Sequence, residues 1–156
     1  MRNVIDTNVL IAANGRSNTH ASVRVELESA RFLAAIIQGD GTVLEDSSSY
    51  VFDEYKRYMQ FSGQPGIGDK FFRWFLTNRY SSHRVESVPL EPDRPVSTYL
   101  PDELRAFDPS DHKWIAIYLE GHGDRIVNAT DSDWAEAADA LAKHGVSVLQ
   151  LDREDD

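Results

Sequence analysis

Asn3-Val4-Ile5-Asp6-Thr7-Asn8 begins with a short apolar run and ends it on an acid. Such a run forms a buried strand, and a carboxylate directly after Val-Ile is costly to bury without a partner. Thr7 and Asn8 then open a turn. Thr42-Val43-Leu44, Arg84 to Val88, Arg125 to Val127 and Val146 to Leu149 read as further short strands. Helical patterns lie between them. Val23, Leu27, Ala30, Leu33, Ala34 and Ile37 recur at spacings of three and four, marking an amphipathic helix over about 21–38 that Gly39 closes. Ser47 to Ser49 offer N-cap hydroxyls for a helix reaching about Met59. An aromatic-rich helix covers about Asp69 to Asn78, and another starts at Asp108 with Pro109 in its first turn and runs to Glu120. A last helix spans Asp133 to His144, with Gly145 as its stop. Pro89, Pro92, Pro95 and Pro101 make 89–107 mainly a surface connection. Strands alternate with helices and no hairpin dipeptide joins two strands. This predicts an α/β fold of three layers, α/β/α, with a mainly parallel sheet of about five strands covered on both faces.

The chain has 156 residues, of which 41% are hydrophobic, enough for one core. We expect a single domain over 1–150 and an acidic C-terminal tail over 151–156. With no cysteine, disulfides, thiolate metal sites and a cysteine nucleophile are excluded. No secretory leader pattern or membrane-spanning apolar run is present, which reads as a cytoplasmic protein without a membrane partner. The net charge of −10 argues against general coating of nucleic acid. That average hides an asymmetry. Residues 50–85 hold six basic residues against three acids, whereas 131–156 hold eight acids against Lys143 and Arg153. A polyanion would approach the middle of the chain.

Ligands of open parallel sheets lie beyond the carboxyl ends of the strands, so topology puts Asp6 and Asp131 on one edge. Glu54 borders the apolar stripe of its helix, while Asp53 faces water. Asp111 shares a helix face with Trp114, Ile115 and Tyr118, in a first turn where the helix dipole and free amides favour a carboxylate. Read singly, Glu54 is a solvated helix residue, Asp111 an ordinary N-terminal charge, and Asp131 a cap of the last helix.

Four segments together say more. Val-Ile-Asp-Thr-Asn-Val-Leu-Ile at 4–11 resembles the opening of PIN-domain proteins, whose strand-end Asp is a metal ligand. Phe-Asp-Glu-Tyr-Lys-Arg at 52–57 resembles the helix carrying that family's Glu, and Asp-Pro-Ser-Asp-His-Lys-Trp-Ile-Ala at 108–116 the segment of its third acid. Ala-Thr-Asp-Ser-Asp-Trp at 129–134 is similar to its Thr-x-Asp-x-Asp-Phe. The resemblance spans about 3–150 and departs at Ala129, where the family carries a hydroxyl. It implies a PIN-like fold and a metal-dependent ribonuclease hydrolysing phosphodiester bonds. Asp6, Glu54, Asp111 and Asp131 would hold one or two Mg²⁺ or Mn²⁺ ions, hard cations suited to carboxylate oxygen, and Asp133 would help through a water. Thr7, Asn8 and Thr130 would support that site. Small members of the family are often toxins held by an antitoxin protein, and members are commonly homodimers.

For an RNA substrate, Lys56 and Arg57 are the candidate contacts. Ten aromatics over 50–80 supply either stacking surfaces for bases or, more ordinarily, core or a dimer surface. His83, His112, His122 and His144 have no paired ligand spacing and read as surface or capping residues. A receiver domain would need an acid pair after the first strand and a late strand-end lysine. A haloacid-dehalogenase-like phosphatase would need Asp at the position of Asn8. The remaining rival is a PIN-like module that binds RNA or protein without cutting.

Overall fold

The computed structural model describes residues 1–15, 21–81 and 83–153. Its order is β1 (Arg2–Ile5), α1 (Thr7–Ala13), α2 (Val23–Ile37), β2 (Thr42–Asp46), α3 (Tyr50–Tyr58), α4 (Ile67–Asn78), β3 (Val85–Val88), three 3-10 turns, α5 (His112–Glu120), β4 (Arg125–Asn128), α6 (Asp133–Glu136), α7 (Ala138–Lys143) and β5 (Val148–Gln150). The five strands form one all-parallel sheet ordered β3-β2-β1-β4-β5, the α/β/α architecture expected. The chain winds outward from β1 in one direction through β2 and β3, then in the other through β4 and β5. The switch lies between β1 and β4, where Val4 pairs with Ile126 and Ile5 with Val127. In open parallel sheets such a switch point, beyond the carboxyl ends of the two strands, is where ligands bind.

Val4, Ile5, Val43, Leu44, Ile126 and Val127 are wholly buried, which explains their unbroken apolar runs. Helix α5 packs on β1, β2 and β4 and is buried nearly all round, from His112 through Tyr118 except Lys113. Of the ten aromatics of 50–80, Tyr55, Phe71, Phe72 and Phe75 are fully buried, Tyr50, Phe52 and Trp74 are partly buried against the core, and the Tyr55 ring stacks on Trp114. Tyr58, Phe61 and Tyr80 stay exposed. Helices α1 and α4 approach so closely at Gly68 that a Cβ there would lie 2.1 Å from the Leu10 carbonyl oxygen, so only glycine fits.

The structure corrects several local readings. Thr7 and Asn8 open a helix rather than a turn: Asp6 is its N-cap, accepting from the Asn8 N–H at 3.2 Å, and Val9, Leu10, Ala12 and Ala13 bury its face. Helix α3 is capped by Asp46, not by serine hydroxyls. The Asp46 carboxylate accepts from the N–H groups of Ser48, Tyr50 and Val51, each at 3.0 Å, because three amides offer a buried acid more than one hydroxyl offers a helix. Ser47 and Ser48 instead donate to the Leu90 carbonyl. They anchor the proline-rich segment, which is more than surface connection, since Leu90, Leu100, Leu104 and Phe107 enter the core. His112 is buried, with Nε2 2.8 Å from the Phe107 carbonyl oxygen, and so is neither surface nor cap. The last helix breaks at Ala137 into α6 and α7. Of the acidic tail, Arg153 and Asp152 are bound through their carbonyls by the Arg24 guanidinium; 154–156 lie outside the described residues.

Candidate metal centre

Three acids meet near the ends of β1 and β4. Asp6 follows β1, Asp111 ends the 3-10 turn Pro109–Asp111 before α5, and Asp131 follows β4. One carboxylate oxygen from each lies within 4.8 Å of the others, although the residues are far apart in sequence. Asp6 and Asp111 are buried and Asp131 is half-buried.

Each is fixed by its own surroundings. The Asp6 backbone N–H donates to the Val127 carbonyl at 3.1 Å, and its carboxylate accepts the Asn8 N–H on one oxygen and the Trp134 indole N–H on the other, at 3.1 Å. Below it the buried Tyr55 hydroxyl donates to the Ile5 carbonyl at 2.6 Å. Asp111 is set by Asp108, whose carbonyl accepts the Asp111 N–H at 2.9 Å and whose carboxylate caps the turn through Ser110. Asp131 hangs on Asn128, a fully buried amide at the end of β4. Asn128 Oδ1 accepts the Asp131 N–H at 3.2 Å, and its Nδ2 donates to the Asp131 carbonyl at 2.8 Å and to Gln150 Oε1 at 2.6 Å. Asn8 interlocks with it, donating from Nδ2 to Asn128 Oδ1 and accepting the Ala129 N–H, both at 2.8 Å. The backbone amide of Ala129 thus takes part in the loop's support without a side-chain hydroxyl. Asp133 contributes its N–H to Asp131 Oδ1 at 2.9 Å while its own side chain is exposed, as is Thr130.

Glu54 stands beside the triad, not in it. Its Oε1 is 2.7 Å from Lys113 Nζ, and its Oε2 accepts the Thr7 hydroxyl. Lys56 pairs with Asp53 at 3.4 Å and lies over the Phe52 ring. Arg57 lines a groove of about 360 Å³ with Tyr50, Asp53, Glu54, Ser110 and Lys113. A groove of about 400 Å³ near Phe107 and Asp133 includes none of the three converging acids.

Electrostatics make the triad a strained set of charges. Burial pushes the Asp6 carboxyl up to about 6, aided by the charges of Glu54 and Asp131 and resisted by the hydrogen bonds from Trp134 and Asn8. Burial likewise lifts Asp111 to about 7, with Asp6 and Asp131 adding to the rise and Lys113 opposing it. Converging anionic oxygens without nitrogen or sulfur donors fit a hard divalent cation such as Mg²⁺ or Mn²⁺, which would relieve that repulsion. Comparison with protein-family models, curated proteins and solved structures finds no match to this chain. Among the described residues no helix is long and apolar enough to cross a membrane.

Asn128, Trp134 and Lys113 escaped the sequence reading. A polar residue at the end of an apolar strand was the available signal for Asn128, because a buried amide needs partners. No local spacing announces that Trp134 or Lys113 will reach an acid from a distant part of the chain.

Proposed function

We propose that the protein is a PIN-like, Mg²⁺- or Mn²⁺-dependent endoribonuclease of the cytoplasm. The observation that carries this reading is the convergence of Asp6, Asp111 and Asp131 at the switch point of a parallel sheet. The four matching segments support RNA as the substrate, and the Arg57 side chain on the neighbouring groove suits its phosphates. In this reading the triad holds the cation, with Asn8 and Asn128 fixing the loop that carries Asp131 and Trp134 fixing the plane of the Asp6 carboxylate. The bound ion would polarise the phosphodiester and lower the pKa of an attacking water. Because Asp6 and Asp111 are already poised to take protons, the triad binds cations in competition with H⁺, and activity should rise with pH through about 6 and about 7. A toxin's role opposite an antitoxin protein, and a homodimer, accompany the same resemblance.

The second reading, a module that binds RNA or protein without cutting, draws on one observation: Glu54 is tied to Lys113 and Thr7. Labelled single-stranded and structured RNA incubated with Mg²⁺, Mn²⁺ or EDTA separates the two. Metal-dependent cleavage that disappears in both Asp6→Asn and Asp111→Asn supports the nuclease. RNA retained uncut by the wild type, with products identical to those of the variants, gives the site to the binding module.

A further inference from the structure

Glu54 is the acid that the resemblance counts as a ligand and that the fold occupies otherwise. Both of its oxygens are taken, one by the Lys113 ammonium and one by the Thr7 hydroxyl. The pair is sheltered, with side chains 13% and 23% exposed for Lys113 and Glu54, so water and salt screen it less than a surface pair. Lys113 is held on two further sides: its ammonium donates to the Ser110 carbonyl and lies 4.9 Å from the centroid of the Trp114 ring. It belongs to the same first turns of α5 that present Asp111, and its charge acts on that carboxylate.

We propose that the Lys113 ammonium takes the place of a second divalent cation: it neutralises Glu54, leaves Asp6, Asp111 and Asp131 to hold one ion, and so fixes the site at one metal per chain. This rests on the metal-site reading given above. The balance of charge favours it. Four carboxylates opposite one dication and one ammonium leave a single negative charge, whereas a second dication beside Glu54 would crowd the ammonium with like charge. The ammonium also differs from an ion in being covalently attached, so Glu54 stays neutralised when no metal is bound.

Mn²⁺ binding to the full chain, stripped with EDTA and followed by isothermal titration calorimetry, tests this without an activity readout. We expect one Mn²⁺ per chain for the wild type and for Glu54→Gln, the latter binding several-fold more weakly because its unpaired Lys113 ammonium stands beside the triad. Lys113→Met frees Glu54, and binding should rise to two ions. A merely structural ion pair would shift the melting temperature in these variants and leave the stoichiometry alone. Two ions on the wild type, one ion on a folded Lys113→Met protein, or lost binding in Glu54→Gln each overturn the proposal while the metal site stands. Should Lys113→Met not fold, Lys113→Gln, which removes the charge and keeps a polar contact to Glu54, is counted in its place, with two ions expected and one ion overturning the proposal. No binding by the wild type removes the metal site and the proposal with it.

Discussion

Replacing Asp111 with Asn should make the metal-free protein more stable at alkaline pH while destroying its response to cations. Burial and the neighbouring acids lift Asp111 from 3.8 to about 7. Each pKa unit is worth about 1.4 kcal/mol between protonation states, so ionising Asp111 inside the fold costs roughly 4 kcal/mol at pH 8. Its titration is coupled to Asp6, and a metal-free loop relaxes, so about half of this, ~2 kcal/mol, is the gain to expect from removing the charge. Among the described residues no hydrogen bond to its carboxylate competes with that gain. For a chain of this size ~2 kcal/mol raises the melting temperature by roughly 4–8 °C. The sign follows from proton binding. A carboxyl raised in the folded state holds its proton where the unfolded chain has lost it, so between 3.8 and about 7 the folded state binds more protons and wild-type stability falls as pH rises. At pH 5 the folded wild type is already mostly protonated at this position, and the gain from the substitution should shrink to less than about 1 kcal/mol. Thermal melts of wild type and Asp111→Asn in EDTA at pH 5 and pH 8, repeated with Mn²⁺, measure all of this. A variant less stable than wild type at pH 8, or a gain independent of pH, would refute the account of Asp111 as a buried, repelled charge.

Two further substitutions probe the scaffold of the triad. Trp134→Phe removes the N–H that faces Asp6, so the Asp6 carboxyl should titrate above about 6 and Mn²⁺ affinity should fall about tenfold, roughly the worth of one hydrogen bond to a charged group. Carbonyl-region NMR titration of Asp6 and calorimetry check it, and an unchanged titration would sink the positioning role. Asn128→Ala strips partners from Asn8, Asp131 and Gln150 at once, and should cost about 2–3 kcal/mol in urea unfolding. A loss below half of that lower figure would mean that water replaces the amide.

The sheet was legible because buried parallel strands must be apolar on both faces, and Asn3-Val4-Ile5, Thr42-Val43-Leu44 and Arg125 to Val127 have no other good use. Their order in space follows from the alternation with helices. Helix starts were harder. Asp6 and Asp46 both end strands and both cap the helix that follows or nearly follows, yet a chain pattern alone does not say whether a strand-end acid serves amides or a cation. Asp46 resolves toward amides, since three N–H groups saturate it. Asp6 is only partly satisfied by donors: one amide and one indole occupy part of its oxygens, and the remainder faces Asp111 and Asp131. Helix periodicity put Glu54 at the border of an apolar stripe but was silent about its partner, because Lys113 comes from a much later element that folds against it only in three dimensions.

That division between Asp46 and Asp6 bears on why the site tolerates its own repulsion. Tyr55 below Ile5, Asn128 under the Asp131 loop and the capped turn at Asp108 hold the triad through hydrogen bonds rather than through counter-charges. They place three carboxylates together without supplying a counter-charge. A site supported by ion pairs to the triad itself would relax its charges and lose affinity for a cation, since the counter-charge would already be present. Here the Lys113 ammonium pairs with Glu54 instead, next to the triad, and among the described residues no ion pair ties up the three acids. The energy that burial and repulsion store in Asp6 and Asp111 is therefore the same energy that cation binding would release, and stability gained on adding Mn²⁺ should grow with pH over the range in which those two carboxyls ionise.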